Sequence, residues 1–407
     1  MYVAVFTQLD HWYHLSPEMK YYLLLCLATV LTIGLYGCGG QTIAQKHSIS
    51  SDLPLPQTLQ SALDGAREKA TVIGASASVI VADQAIWVGV SGMSDPTTEI
   101  PITPDMLFDI GSIGKNFLAT LILQLCYEGR LKLDDPISKW LDHYPNIDGG
   151  ITVRQLLNHT SGVFDFVKHP DSPWQMIYQS TKIWEQEAIL KNLVSAPYFS
   201  PGSGWHYSTT NYILLRMIAE KILTTDISDA LKTHYFIPLN LKHTVCVDPL
   251  GSIPSEMIIA NNWSTAGYVD LAPKPQPWTT TSPHLIYTTS ADLARWIHLL
   301  FYEKRVLPAE YLDQMTSFHS PAPNDPPLSG YGLGLMYLNA DLTEKAFYVS
   351  GVRMWGHGGN TFGFKSLVMH LPDFETTIAV LINDDQDQGL ETIFIALLRA
   401  VTGHLRW

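Results

Sequence analysis

Ser112-Ile113-Gly114-Lys115 sets a hydroxyl and an amine three residues apart at the head of an apolar run, Asn116 to Leu123. Residues three apart on a helix share a face, so the serine oxygen and the lysine nitrogen can sit side by side. The positive end of the helix dipole lies at the same place and favours an alkoxide and a deprotonated lysine. A serine at its free pKa is a weak nucleophile, and a neighbouring base is what opens acyl transfer to it. Alone, such a tetrad is in most chains a helix cap with a solvated lysine. Two downstream segments change its meaning. Pro201-Gly202-Ser203-Gly204-Trp205-His206-Tyr207-Ser208-Thr209 brings a phenol to the approach of a helix, and Gly356-His357-Gly358-Gly359-Asn360 brings an imidazole into a glycine-rich stretch. Two small residues there would let a substrate lie close against a strand.

The elements that must position these groups follow from patterning. A helix is expected over Thr58–Lys69, and Ala75–Val81 with Ala85–Ser91 around Ala82-Asp83-Gln84 reads as a hairpin. Leu107–Ile110 leads into the serine helix, which Gly129 ends. Thr152-Val153-Arg154-Gln155 has capping-box spacing for a short helix. Residues 174–194 and 211–235 are helical in period, and Ser290 opens a further helix to Tyr302 with an apolar face at Leu293, Trp296, Leu299 and Leu300. Lys365–Leu371 and Thr376–Asn383 flank Pro372-Asp373-Phe374-Glu375 as a second hairpin, and Gly389–Val401 is a closing helix. The order implies one sheet built from both ends of the chain, with a helical lobe between and a ligand cleft at their junction.

Of 407 residues, 46% are apolar and 15% charged, which allows a large core. Twenty-five basic against 38 acidic residues, a net charge of −13, argue against nucleic acid or anionic lipid as a partner of the folded part. Ahead of it, Met19-Lys20 precedes an apolar stretch, Tyr21–Leu35, of signal-peptide rather than membrane-spanning length. Leu35-Tyr36-Gly37-Cys38 resembles a bacterial lipobox, so Cys38 is the expected lipidation site; an uncleaved signal anchor is the alternative. Residues 1–18 lack signal character, and translation starting at Met19 fits the pattern better. On this reading 1–38 is the signal region and 39–57 a linker, with the folded unit over 58–407. Cys126 and Cys246 read as buried free thiols. The histidines show no metal-ligand spacing, and no cofactor is expected. Lys115 does not belong to a phosphate loop, since the first glycine of that motif would fall on Asp109.

These segments together resemble the serine β-lactamase and penicillin-binding protein superfamily. The nearest pattern is the branch of class C β-lactamases, R61-type D-alanyl-D-alanine carboxypeptidases and family VIII esterases. The resemblance is carried by Phe108–Lys115, Ile151–Gly162, Pro201–Ser208, Tyr287–Ala294 and His357-Gly358-Gly359, and runs over about residues 60–400. It implies an α+β fold, β-lactamase/transpeptidase-like, with an antiparallel sheet flanked by helices. Residues 58–118 and 286–407 would form the α/β lobe and 119–285 the inserted, mainly helical lobe. Ser112 would be acylated and Lys115 would take or relay its proton. Tyr207 would share acid–base work, its phenol acidified by nearby cations. His357 would bind a substrate carboxylate or tune Tyr207. The backbone N–H groups of Ser112 and Asn360 would hold the oxyanion, with Gly358 and Gly359 leaving room for substrate. The branch usually carries Tyr-x-Asn where this chain has Tyr207-Ser208-Thr209, a change that moves weight from β-lactam or D-alanyl peptide chemistry toward esters or other amides. His159 reads as a fold-holding hydrogen bonder. The expectation is an exported, membrane-anchored, monomeric serine hydrolase acting on a small molecule or peptidoglycan peptide, with carboxypeptidase and carboxylesterase as its two forms. A non-catalytic binding lipoprotein is the reading from another class.

Overall fold

The computed structural model describes residues 53–172, 185–247, 257–261, 286–319, 328–361, 363–384 and 388–405. The proposed signal region, Cys38 and most of the linker lie outside them. Helix α1 (Leu55–Lys69) starts inside the segment read as linker, with Pro56 in its first turn, where a missing N–H costs nothing. Strands β1 (Gly74–Val81) and β2 (Trp87–Asp95) form the expected hairpin, followed by β3 (Ile100–Pro101), β4 (Phe108–Asp109) and helix α2 (Gly114–Tyr127). The middle of the chain holds α3 (Val153–Leu157), α4 (Gln186–Asn192), α5 (Thr210–Leu223), α6 (Ile227–Leu231) and β5 (Thr244–Cys246). Then come β6 (Ile286–Thr288), α7 (Ser290–Phe301), α8 (Ala309–Met315), β7 (Gly330–Tyr331), β8 (Met336–Leu338) and α9 (Ala340–Phe347). Strands β9 (Met354–Thr361), β10 (Phe364–Leu371) and β11 (Thr376–Ile382) and helix α10 (Gly389–Leu405) complete the fold.

Eight strands make one antiparallel sheet in the order β3-β2-β1-β11-β10-β9-β8-β7, so the first and last strands of the chain meet at β1 and β11. Period-two alternation gives this sheet two apolar faces. Ala75, Ala77, Val79, Ile378 and Val380 join Leu59 and Leu63 of α1 and Phe394 and Leu397 of α10. Ala379, Leu381 and Val368 face Leu293, Trp296 and Ile297 of α7 in the core that also encloses α2. Ser76 and Ser78 sit on this second face, and each meets the Ser290 hydroxyl at 2.8 Å, so the start of α7 is pinned to β1.

The long helical period over 211–235 breaks at Thr224, whose left-handed φ of 57° ends α5, and Asp226 caps the next helix by accepting from Asp229 N–H. A second sheet, β4-β6-β5, draws residues 244–246 out of the expected helical lobe and pairs them beside the strand that leads to Ser112. The capping box at Thr152 and Gln155 forms as the spacing predicts. Cys126 is a buried free thiol, and Cys246 is buried as well. Among the described residues no helix is long and apolar enough to cross a membrane.

Candidate active site

Twelve of the fourteen α2 residues are buried, so the helix runs through the core rather than along its surface. Its internal polar groups are met: Asn116 accepts from the Trp296 indole at 2.9 Å and donates to the Gly334 carbonyl. Ser112 lies one turn earlier, in a 3₁₀ turn over Gly111–Ile113. Gly111 has φ +50°, a backbone shape that favours glycine, and its N–H donates to the Asp109 carboxylate at 2.9 Å. Burial pushes the Asp109 carboxyl up to about 7. The nucleophile's turn is thus fixed from behind by a carboxylate and a helix.

Lys115 is completely buried, and its Nζ donates to Ser112 Oγ at 2.8 Å. Burial lowers its pKa to about 7, and the Asp165 carboxylate acts in the opposite direction. A large share of the amine is therefore free base at neutral pH and able to take the serine proton. Nζ also lies over the rings of Tyr207, at 5.0 Å, and Tyr212, at 5.7 Å.

Tyr207 is brought here by the His159-Thr160-Ser161-Gly162 turn. His159 and Gly162 adopt φ of +63° and +77°. The turn binds the incoming segment by backbone bonds from His206 N–H to the His159 carbonyl and from Gly202 N–H to the Thr160 carbonyl. The His159 Nδ1 accepts from Ser208 N–H at 3.1 Å and lies 3.1 Å from Asn211 Nδ2, which leaves the ring proton on Nε2. Its ring packs 4.3 Å from that of Tyr207. Burial holds His159 neutral, far below the usual histidine range, so it is a scaffold residue as expected. The Tyr207 hydroxyl is also buried. The nearby Ser112 hydroxyl eases its ionisation without making a well-formed hydrogen bond, and desolvation outweighs that help and raises its pKa far above the ordinary value. The expected acidified phenol is therefore corrected: at neutral pH Tyr207 is a proton donor, not a phenolate.

His357 sits on β9, which pairs with β10 along Trp355–Thr361 but with β8 only at Met354–Gly356. From His357 onward one edge of β9 faces the cleft. Glycine at 359 is required because a Cβ there would run into the Ile110 carbonyl. The same approach brings Asn360 N beside Gly111, next to the serine turn. Ser112 N lies in the first turn of its helix, so the two backbone N–H groups expected to hold an oxyanion, those of Ser112 and Asn360, come from neighbouring segments. His357 itself is completely buried. Its Nδ1 donates to the Gly358 carbonyl at 2.6 Å, and its Nε2 accepts from the Tyr331 hydroxyl at 2.9 Å. Burial first, and Lys115 second, lower its pKa to about 3. Without ligand the His357 ring is neutral and both its nitrogens are engaged, so it presents no charge toward a carboxylate. Its ring centre lies 6.3 Å from that of Tyr207, close enough to shape the phenol's surroundings.

Thr209 is half-buried at the start of α5, and its N–H donates to Asp165 Oδ1 at 3.1 Å. Sequence reasoning missed two residues of this cluster. Asp165 is a lone carboxylate between Phe164 and Phe166, and isolation of an acid among aromatics was its available signal. Tyr331 stands in Gly330-Tyr331-Gly332, and nothing in the spacing ties it to His357.

A hydroxyl paired with a buried amine and a protonated phenol beside them define a serine acyl-transfer centre. Residues 59–400 match the Beta-lactamase family model, and the chain belongs to that family. It is a serine hydrolase of the β-lactamase-related type. It is 27% identical to Penicillin-binding protein 4* of Bacillus subtilis over 76% of this chain and 67% of the relative. It is 31% identical to Esterase EstB of Burkholderia gladioli over 38% of this chain and 42% of the esterase, well under half of that relative's length. Among solved structures, the D-stereospecific amidohydrolase from Streptomyces sp. superposes with a TM-score of 0.70 at 30% identity, covering 83% of this chain and 98% of that one.

Proposed function

We propose that this protein hydrolyses amides or esters that carry no carboxylate beside the scissile bond. Lys115 takes the Ser112 proton as Oγ attacks the carbonyl carbon, and the oxyanion forms against Ser112 N–H and Asn360 N–H. Tyr207, which holds its proton, passes it to the departing amine or alkoxide and is reprotonated by the Lys115 ammonium through the serine oxygen's vicinity. Water then attacks the acyl carbon while Lys115 takes its proton, and the same proton passes to Ser112 Oγ as the ester C–O bond breaks and the acid leaves.

The observation that carries the reading is the locked, neutral His357 beside Gly358, which has no side chain to donate. Among the described residues the charged groups acting on Lys115, Tyr207 and His357 are Asp165 and Lys115 themselves. Among the described residues, none of these interactions brings a second cation beside His357 to grip a C-terminal carboxylate, the handle that a carboxypeptidase or β-lactamase substrate presents. The similarity to a D-stereospecific amidohydrolase over nearly all of that chain supports the amide form, and the similarity to an esterase supports the ester form. The competing carboxypeptidase reading draws support from Penicillin-binding protein 4*.

The test compares kcat/KM for a D-amino acid amide and a p-nitrophenyl ester with that for an N-acyl-D-alanyl-D-alanine, alongside Ser112→Ala. The expected result is Ser112-dependent turnover of amide or ester at least about 100-fold above the dipeptide. The reverse preference restores the carboxypeptidase, and no turnover of any of them favours a binding role. The lipobox-like Leu35–Cys38 segment supports an envelope-anchored protein. Cys38→Ser should then move the protein from the membrane to the soluble fraction, and retention in the membrane would point to an uncleaved anchor.

A further inference from the structure

Tyr207 has a second neighbourhood. With Trp205 it lines a cavity of about 370 Å³ whose other walls come from β8, β10, α9 and α10. The walls are Met336 and Leu338 of β8, Leu367 of β10 and Phe394 of α10. Gly358 of β9 lies opposite Leu367 in the β9–β10 register, and a Cβ on it would stand 3.8 Å from the Leu367 methyl, so no side chain fills the space beside that lining residue. Trp205, Met336 and Leu367 are only half-buried. Glu391 is the one charged residue of the lining and stands exposed at the rim. Half-exposed apolar side chains gathered against a group that reaches the nucleophile are the usual mark of a substrate subsite rather than of incomplete packing.

We infer that this cavity holds the apolar part of the substrate, and that it selects neutral or cationic acyl compounds with a chain of several carbons or an aromatic ring over acetyl or anionic ones. The inference rests on the acyl-enzyme reading above and names its substrate class. Size supports it, because a dry apolar cavity of about 150 Å³ already accepts a benzene ring. Here the volume is more than twice that. The carboxylate at the rim repels an anion and tolerates an ammonium, which agrees with the missing carboxylate handle at His357. The bare Gly358 edge lets the acyl group leave the catalytic cleft and turn toward α10 without crossing a side chain.

The test reads selectivity within single samples, so that a variant's folded fraction cancels. p-Nitrophenyl acetate, butanoate, hexanoate and 4-carboxybutanoate are compared on the wild type and on Leu367→Trp and Met336→Trp, each of which fills the cavity from a different strand. Each added methylene should raise wild-type kcat/KM about three- to four-fold up to hexanoate, from the usual transfer free energy of a methylene. The carboxylated ester should fall at least about ten-fold below hexanoate. Both variants should flatten the hexanoate-to-acetate ratio toward one. A flat wild-type series, or a steep one that both variants keep, overturns the assignment while leaving serine hydrolysis intact. If no ester is turned over, methyl- and pentylboronic acids, which add to a reactive serine without turnover, give the same reading from their inhibition or binding constants. Tighter pentyl binding that both variants abolish sustains the subsite, and equal binding of the two removes it.

Discussion

Lys115 and His357 are both wholly buried nitrogen bases within one cluster, yet the fold uses them in opposite ways. The amine of Lys115 donates to the Ser112 hydroxyl, the group it must act on. The imidazole of His357 has both nitrogens tied to groups that take no part in proton transfer, Gly358 O and Tyr331 OH. Desolvation lowers the pKa of each, to about 7 and about 3 respectively. The same physical effect thus makes a general base of one residue and a neutral spacer of the other, because their unperturbed values start from different places. Burial alone does not mark a catalytic base; burial combined with a reactive partner does.

The largest expected effect breaks the Lys115 half of this contrast. Lys115→Met should lower kcat/KM by about 10²–10⁴-fold, the range for loss of a positioned general base. It should also stabilise the protein. A lysine whose native pKa is near 7 stays charged in the unfolded chain, so between pH 10.5 and 7 its burial lowers stability progressively as pH falls. Methionine fits a similar volume without that cost, and a gain of about 2 kcal/mol or more at pH 7 is expected in chemical denaturation. A variant that loses activity and stability together would mean that Lys115 is held as part of the packing and not as a base under strain.

The pH profile sharpens the same contrast with a smaller effect. Because Lys115 must lose its proton to act, kcat/KM should rise with pH through an apparent pKa near 7. Asp165 favours the ammonium form, so Asp165→Asn should move that limb to lower pH and raise the relative rate at pH 6. Asp165 Oδ1 also accepts from Thr209 N–H, and the asparagine amide oxygen can keep that bond, so a collapse of activity at every pH is not expected. An unmoved limb would show that Asp165 is itself uncharged over this range, as its own burial tends to make it.

How far the sequence carried this picture depended on whether a feature was local. Ser112, Lys115 and the capping box at Thr152 lie within one or two helical turns, and helix geometry alone sets their mutual positions. The two hairpins were legible because alternation and turn chemistry are local as well. The β4-β6-β5 sheet was not, since it joins stretches of two or three residues from three parts of the chain, too short to show a period. The charge states were also out of reach. Whether nearby cations or desolvation governs Tyr207 depends on how deep the hydroxyl sits, and that depth is set by the His159 turn and β9 together. The pairing of Tyr331 with His357 has the same origin: the two residues belong to β7 and β9, and the strand that sets them side by side, β8, gives no hint of either.

The smallest expected effect falls on that pairing. Tyr331→Phe keeps the ring that packs 4.7 Å from His159 and removes only the hydroxyl that donates to His357 Nε2. It leaves a buried acceptor unmet, which should cost about 1–3 kcal/mol of stability. Because His357 titrates near 3 in the fold and near 6.5 when unfolded, its contribution is whole above pH 6.5 and fades as pH falls toward 3. Loss of the donor to the neutral ring favours its protonation, so in the variant the acid limb should remain but level off at a higher pH than in the wild type. If His357 only fills and shapes the cleft, kcat/KM on an amide or ester should stay within about threefold, since no group touching the reacting atoms has changed. A loss of a hundredfold at full folding would show instead that the imidazole's orientation controls the Tyr207 proton, and the contrast between the two buried bases would have to be redrawn with both on the chemical side.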